Sequence, residues 1–220
     1  MAHWPDDRIQ RLFKIKFPII QAPMAGSSTT EMAIAVAVAG GLGSLPSAQM
    51  TPTQLTEALI KFRTATSAPV NVNFFCHTPA GNDAVVDRQW RKRLEAYYVQ
   101  FDIDPEVQVA SANRAPFDDA YCSVVEALRP EVVSFHFGLP SYLLLDRVRN
   151  AGAKIISSAT TVREAVWLEA HGCDAVIAMG VEAGGHRGNF LTDDMSAQVG
   201  TMSLLPQAVD AVDLAHAVDV

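Results

Sequence analysis

Asp174-Ala-Val-Ile-Ala-Met-Gly-Val-Glu-Ala-Gly-Gly-His-Arg-Gly188 is an apolar run that breaks straight into a glycine-rich loop. Residues 175–179 read as a buried strand. The loop behind it sets Gly180, Gly184, Gly185 and Gly188 around a single imidazole, His186. Glycines let a backbone take positive φ and come close to a flat or anionic ligand. A histidine at the carboxyl end of a strand stands where α/β proteins keep their chemistry.

Outward from this segment, short apolar runs alternate with stretches of helical period. Residues 17–24 read as a first strand, with Pro18 near its start and Pro23 near its end. Residues 30–39 read as a helix stopped by Gly40-Gly41, and residues 42–45 as a second strand. Gly40-Gly41-Leu42-Gly43 leads from helix into strand, the reverse of a dinucleotide fingerprint, and reads as a helix cap and turn. Thr51, Pro52 and Gln54 make a capping box with proline at the first helical position. Further strands are expected at 70–75, 132–137, 154–159 and 175–179, with a second capping box, Thr161-Val-Arg-Glu164, between the last two.

Strands separated by single helices imply βαβ crossovers and a parallel sheet. Six such units admit a doubly wound open sheet or a (β/α)8 barrel, and both need nearly continuous apolar strands. Residues 76–130 form a long excursion with helical patterns at 88–101 and 117–128, suited to a lid or substrate wall within one domain spanning 1–220. A helix is expected across 202–213. A seventh strand should follow it, yet Val220 comes first. On this count a TIM-type barrel would be incomplete, with about six of its eight units.

Composition bounds the function. The 220 residues are 49% hydrophobic and 19% charged, as in one globular domain with a substantial core. A net charge of −7 argues against nucleic acid or an anionic membrane as partner. No apolar run approaches the roughly 18–20 residues of a membrane span. Residues 1–8 lack the basic and apolar regions of a signal peptide. Cys76, Cys122 and Cys173 are widely spaced with no CxxC pair, a reducing-compartment pattern that points to the cytoplasm and to neither disulfides nor a metal site.

Four strand ends carry the polar chemistry: Gln21-Ala-Pro-Met-Ala-Gly26, Asn71-Val-Asn-Phe-Phe75, Ser134-Phe-His-Phe-Gly138 and Met179-Gly-Val-Glu-Ala-Gly-Gly-His-Arg-Gly188. In this order and spacing they resemble the nitronate monooxygenase family, formerly 2-nitropropane dioxygenases, across about residues 10 to 213. The resemblance implies an FMN-dependent (β/α)8 flavoprotein without a metal. It also implies an oxidoreductase that turns alkyl nitronates such as propionate 3-nitronate, with O2, into carbonyl product and nitrite.

The same resemblance implies roles for particular residues. Ala22, Pro23 and Met24 would run along the isoalloxazine ring, Asn73 would hydrogen-bond it, and Gly184 and Gly185 would line it. Met179 stands where several members carry glutamine, and a thioether can pack on the ring but cannot donate a hydrogen bond. His186 would be the catalytic base or the electrostatic partner of the nitro group, with His136 beside it. An imidazole changes charge near neutral pH, so it can take a proton from carbon or hold an anion. Asn71 and Asn73 share a strand face, and either could serve the flavin. His136, between two phenylalanines, could equally be a packed core histidine.

Family barrels grip the FMN phosphate after strands seven and eight, beyond anything matched in this chain, so weak FMN binding is expected of it. Two other readings stay open. One is an NADH-dependent flavin reductase of the enoyl-acyl-carrier-protein or quinone reductase type. The other is a non-catalytic barrel remnant whose free strand edge pairs with another chain, which leaves homo-oligomerisation open.

Overall fold

The computed structural model describes residues 4–79, 81, 83–106, 114–213 and 217–219. In chain order the elements are α1 (Arg8–Phe13), α2 (Thr30–Ala39), β1 (Gly43–Pro46), α3 (Pro52–Ala65), β2 (Val70–Phe75), α4 (Ala84–Arg93), α5 (Glu95–Gln100), α6 (Asp119–Leu128), β3 (Val132–His136), α7 (Tyr142–Asn150), β4 (Lys154–Ala159), α8 (Val162–Ala170), β5 (Ala175–Ala178), α9 (Thr201–Ala211) and β6 (Ala217–Asp219). The six strands form one sheet in the order β1-β2-β3-β4-β5-β6, and every pairing is parallel. A doubly wound sheet reverses its strand order partway, whereas a barrel adds strands in sequence. The described residues therefore build an open arc of a (β/α)8 barrel.

Two expectations need correction. Residues 17–24 do not form a strand, and only Ile20 bridges to Leu42. Proline has no N–H to give a ladder, and Pro18 and Pro23 flank the bridge. The Gln21 side chain replaces the missing ladder, its Oε1 accepting from Ser44 N at 3.3 Å and its Nε2 donating to Ser44 O at 3.4 Å. The second correction is at the other edge, where Ala217–Asp219 is a strand pairing with β5, so a seventh stave follows α9 after all. Six βα units stand between the Ile20 bridge and that strand.

Local chemistry accounts for the helix ends. Gly40 takes φ 104° and caps α2, as its place between helix and strand predicts. The Thr51–Gln54 capping box forms in full. In the excursion the two helical patterns part company. α6 packs between α3 and α7 in the outer layer, while α4 and α5 contribute no buried residue.

The two faces of the sheet have separate cores. Val72, Phe74, Val133, Phe135, Ile155 and Val176 face the helices. On the opposite, concave face, Leu42, Val132, Ile156 and Ala175 line the amino-terminal end of the sheet, plugged by Phe13 and Ile15 at and just after α1. Each large side chain so buried contributes about 1.5–3 kcal/mol.

Glu164 holds the carboxyl-terminal end together. It is completely buried. Its Oε2 accepts from Thr160 N and Thr160 Oγ1, both at 2.7 Å. Its Oε1 accepts from Phe190 N at 2.7 Å and Leu191 N at 3.2 Å. Only half of the expected second capping box forms: Thr161 Oγ1 accepts from Glu164 N, but the carboxylate is engaged elsewhere. Glu164→Leu would strand these donors in a dry interior and should lower the unfolding free energy by at least about 3 kcal/mol. Glu164→Gln should cost less, since its amide oxygen can still serve one pair of donors. Chemical denaturation of the three proteins checks the order.

Candidate active site

Strand pleating puts alternate residues on one face, so Asn71 and Asn73 of β2, Ser134 and His136 of β3 and Ser158 of β4 all point to the concave side. They sit above the apolar floor, toward the carboxyl ends of the strands. There they line a cavity of about 730 Å³. The nine residues to which the resemblance gives a role all lie on its wall: Ala22, Pro23, Met24, Asn73, His136, Met179, Gly184, Gly185 and His186; Gly180 and Gly188 of the same loop do not. The structure brings together four segments far apart in the chain.

The 17–24 segment supplies an apolar side. Met24 is 46% exposed and looks into the cavity mouth, not into a core. Ser28 Oγ, accepting from Met24 N at 3.2 Å and donating to Ala22 O at 3.3 Å, ties this turn on both sides of Pro23. On β2, Asn73 Nδ2 donates to Ser134 Oγ at 3.0 Å and is within 3.4 Å of Ser134 O, so its amino group is engaged by protein. Asn71 Nδ2 donates to Ser44 Oγ at 3.0 Å.

The two histidines differ sharply. His136 is half-buried, with Nδ1 2.7 Å from Ser158 Oγ. Burial pushes its imidazole down to about 4, against an opposing hydrogen bond that the ring donates to the backbone of His186. It is therefore neutral at neutral pH. His186 is exposed at the mouth, its ring edge-on to Phe75 at 5.3 Å and Phe137 at 5.9 Å between centroids, with His136 at 6.5 Å. Phe137 holds this wall from a left-handed backbone, φ 68°, which for a bulky residue costs about 1–3 kcal/mol. Ser157 Oγ, 3.0 Å from the carbonyls of Phe135 and Gly138, braces the turn.

The loop bearing His186 docks by close approach. A Cβ on Gly188 would lie 2.6 Å from His136 Cε1 and 2.9 Å from Ser158 Oγ, so only glycine lets the backbone rest on that pair. Phe190 lies against Gly138, and Glu164 grips the backbone at 190 and 191. Gly184 faces open space.

Sequence reasoning did not single out Ser158, Gln49 or Arg114. Ser158 is one of two adjacent serines, and only the placement of β4 beside β3 shows which of them faces inward. Arg114, from the excursion, is the one permanently charged side chain among the described lining residues. Burial pushes the Cys173 thiol up to about 12 and also raises that of half-buried Cys76, so neither is poised as a nucleophile.

Comparisons with known proteins bear on the family and the fold. The family model described as nitronate monooxygenase matches residues 6–218. A nitronate monooxygenase of Paraburkholderia phytofirmans is 41% identical over 194 residues, covering 88% of this chain and 53% of that protein. The solved nitroalkane oxidase of Streptomyces ansochromogenes superposes with a TM-score of 0.80 at 36% identity, covering 96% of this chain and 60% of that one. FabK from Thermotoga maritima gives a TM-score of 0.68 at 27% identity, covering 96% and 53%. The chain spans about half the length of the curated relatives it matches. With four strand-end motifs converging on one cavity and the family model matched nearly end to end, the chain belongs to the nitronate monooxygenase family.

Proposed function

We propose that the cavity holds FMN and that the protein uses it to oxidise alkyl nitronates such as propionate 3-nitronate with O2, releasing carbonyl product and nitrite. The observation that carries this reading is the meeting of His186 with the 22–24 turn, the asparagine pair and the 184–185 glycines around one space. The residues fit a flavin. The cavity has the volume of a cofactor site, its walls are mainly apolar, and one wall residue, Asn71, keeps a buried amide oxygen without a partner. Bound FMN would supply the electron transfer and the oxygen chemistry.

The chain's own residues would do the rest. Ala22, Pro23 and Met24 offer a flat apolar strip for the ring, with Met179 as a packing group. Gly184 and Gly185 leave room for substrate over it. His186, at the mouth and packed on two phenylalanines, would accept a proton from the carbon acid or, when protonated, hold the nitronate anion. His136, kept neutral by burial and oriented by Ser158, would act as a hydrogen-bonding wall and not as a proton carrier. The excursion would reach the substrate space through Arg114, and three free thiols fit a reducing cytoplasm.

The likeness to FabK keeps one rival in view, a flavin reductase drawing electrons from NADH. Under anaerobic conditions, bleaching of bound flavin by a nitronate alone supports the proposal, and bleaching only by NADH overturns it. His186→Ala should cut nitronate turnover at least about 100-fold while FMN affinity stays within a few-fold, checked by oxygen uptake and fluorescence titration. His136 makes a separate prediction. Its value, lowered from 6.5 to about 4, means the unfolded chain takes the proton first as pH falls. The stability it confers is complete above about pH 6.5 and is lost as pH drops toward 4. His136→Gln should remove about 2–3 kcal/mol of the acid-induced loss between pH 7 and 4.5, read by denaturation at both values.

A further inference from the structure

Among the described lining residues, Arg114 alone carries a charge at every working pH, and no Asp or Glu stands with it on the cavity wall. The chain as a whole has 24 acidic against 17 basic side chains, so the cavity inverts the sign of the molecule around it. The guanidinium is exposed and takes no part in the ion pairs among the described residues. Residues 107–113, just before it in the chain, include no Asp or Glu. A fixed positive charge against mainly apolar walls concentrates anions in the cavity of an otherwise acidic protein.

The fold puts this charge on the same side as His186. Phe117 N donates to Phe75 O at 2.8 Å, tying the end of the excursion to the carboxyl end of β2. Arg114 comes shortly before that tie, so its Cα is within about 11 Å of that of Phe117. Phe75 is also the ring against which His186 packs, at 5.3 Å between centroids. Imidazole and guanidinium thus reach the cavity from neighbouring parts of one rim, and they cannot exchange roles. A guanidinium stays protonated and has no acceptor, so it cannot take a proton from carbon. It can hold a planar carboxylate through two parallel N–H donors. Resting on the nitronate reading above, we propose that Arg114 selects nitronates bearing a carboxylate at the far end of the carbon chain over those with a plain alkyl tail. His186 meets the nitronate end of such a substrate, and Arg114 meets the carboxylate end. Held alike before and during reaction, the second anion adds binding without altering the chemistry at the nitronate carbon.

Succinate and butyrate test this without turnover, because a carboxylate mimics the nitronate group. Succinate copies propionate 3-nitronate, and butyrate copies the nitronate of 1-nitropropane. Both are titrated by calorimetry, with FMN saturating, into the full chain as wild type, Arg114→Gln and Arg114→Lys. The wild type should prefer succinate by about tenfold, the worth of one charge-assisted pair. That preference should fall to within about twofold in Arg114→Gln and be partly kept in Arg114→Lys, which retains the charge without the fork. In turnover, Arg114→Gln should lower kcat/KM for propionate 3-nitronate about tenfold, mostly through KM. Equal affinities in the wild type, or a succinate preference that Arg114→Gln leaves intact, overturn the inference. So does an Arg114→Gln protein that loses its preference for FMN over riboflavin but not that for succinate, since the arginine then serves the cofactor's phosphate. A chain that prefers succinate through Arg114 yet leaves nitronates unoxidised supports selection of dianions by this residue and overturns only the proposed reaction.

Discussion

A buried carboxylate governs the working end of this molecule. Glu164 is closed off from solvent, and a charge so placed is tolerated only when its lone pairs are filled by donors. Two come from Thr160 at the end of β4 and two from the backbone of Phe190 and Leu191. The first pair anchors the residue in the sheet layer. The second pair seizes a loop that has no regular structure of its own. Because Phe190 then meets Gly138 and Gly188 meets His136, one carboxylate fixes the seating of the segment that carries His186.

Above that anchor, the concave face of the sheet divides its work by depth. Aliphatic side chains and the α1 plug fill the amino-terminal end, where there is no chemistry to perform. Asparagine, serine and histidine occupy the same face toward the carboxyl ends, with Asn71, Asn73 and His136 each bonded to a serine on a neighbouring strand. The two imidazoles of the proposed site are thereby separated in character. One is pressed between strands and kept neutral, while the other stands at the rim against an aromatic wall.

That wall shows a cost accepted for geometry. Phe137 keeps a left-handed backbone that a glycine would adopt more cheaply, and its ring reaches both His136 at 4.4 Å and His186. Strain of this kind survives where surrounding contacts over-determine the residue, here through Ser157 beneath the turn and Phe190 beyond it.

How much of this was legible in the sequence depends on how far apart the interacting residues lie. Alternating apolar runs and capped helices announced the parallel α/β architecture, because periodicity and caps are local properties of the chain. The glycine-rich strand ends announced where the cavity would be, and the nine chosen residues do share it. Pairing across the sheet could not be read in the same way. The bridge at Ile20 where a strand was expected, and the strand at 217–219 where none was, depend on which backbone groups find partners. Glu164 looked like the end of a capping box, since a local motif is blind to a loop that arrives 26 residues later and offers two better donors. Ser158 likewise acquires meaning only from strand register. Residue order was enough to establish the elements and the side-chain types gathered at the strand ends. Folding in three dimensions settled which of those side chains are satisfied and which are left facing the cavity, because hydrogen-bond satisfaction is a property of neighbours in space.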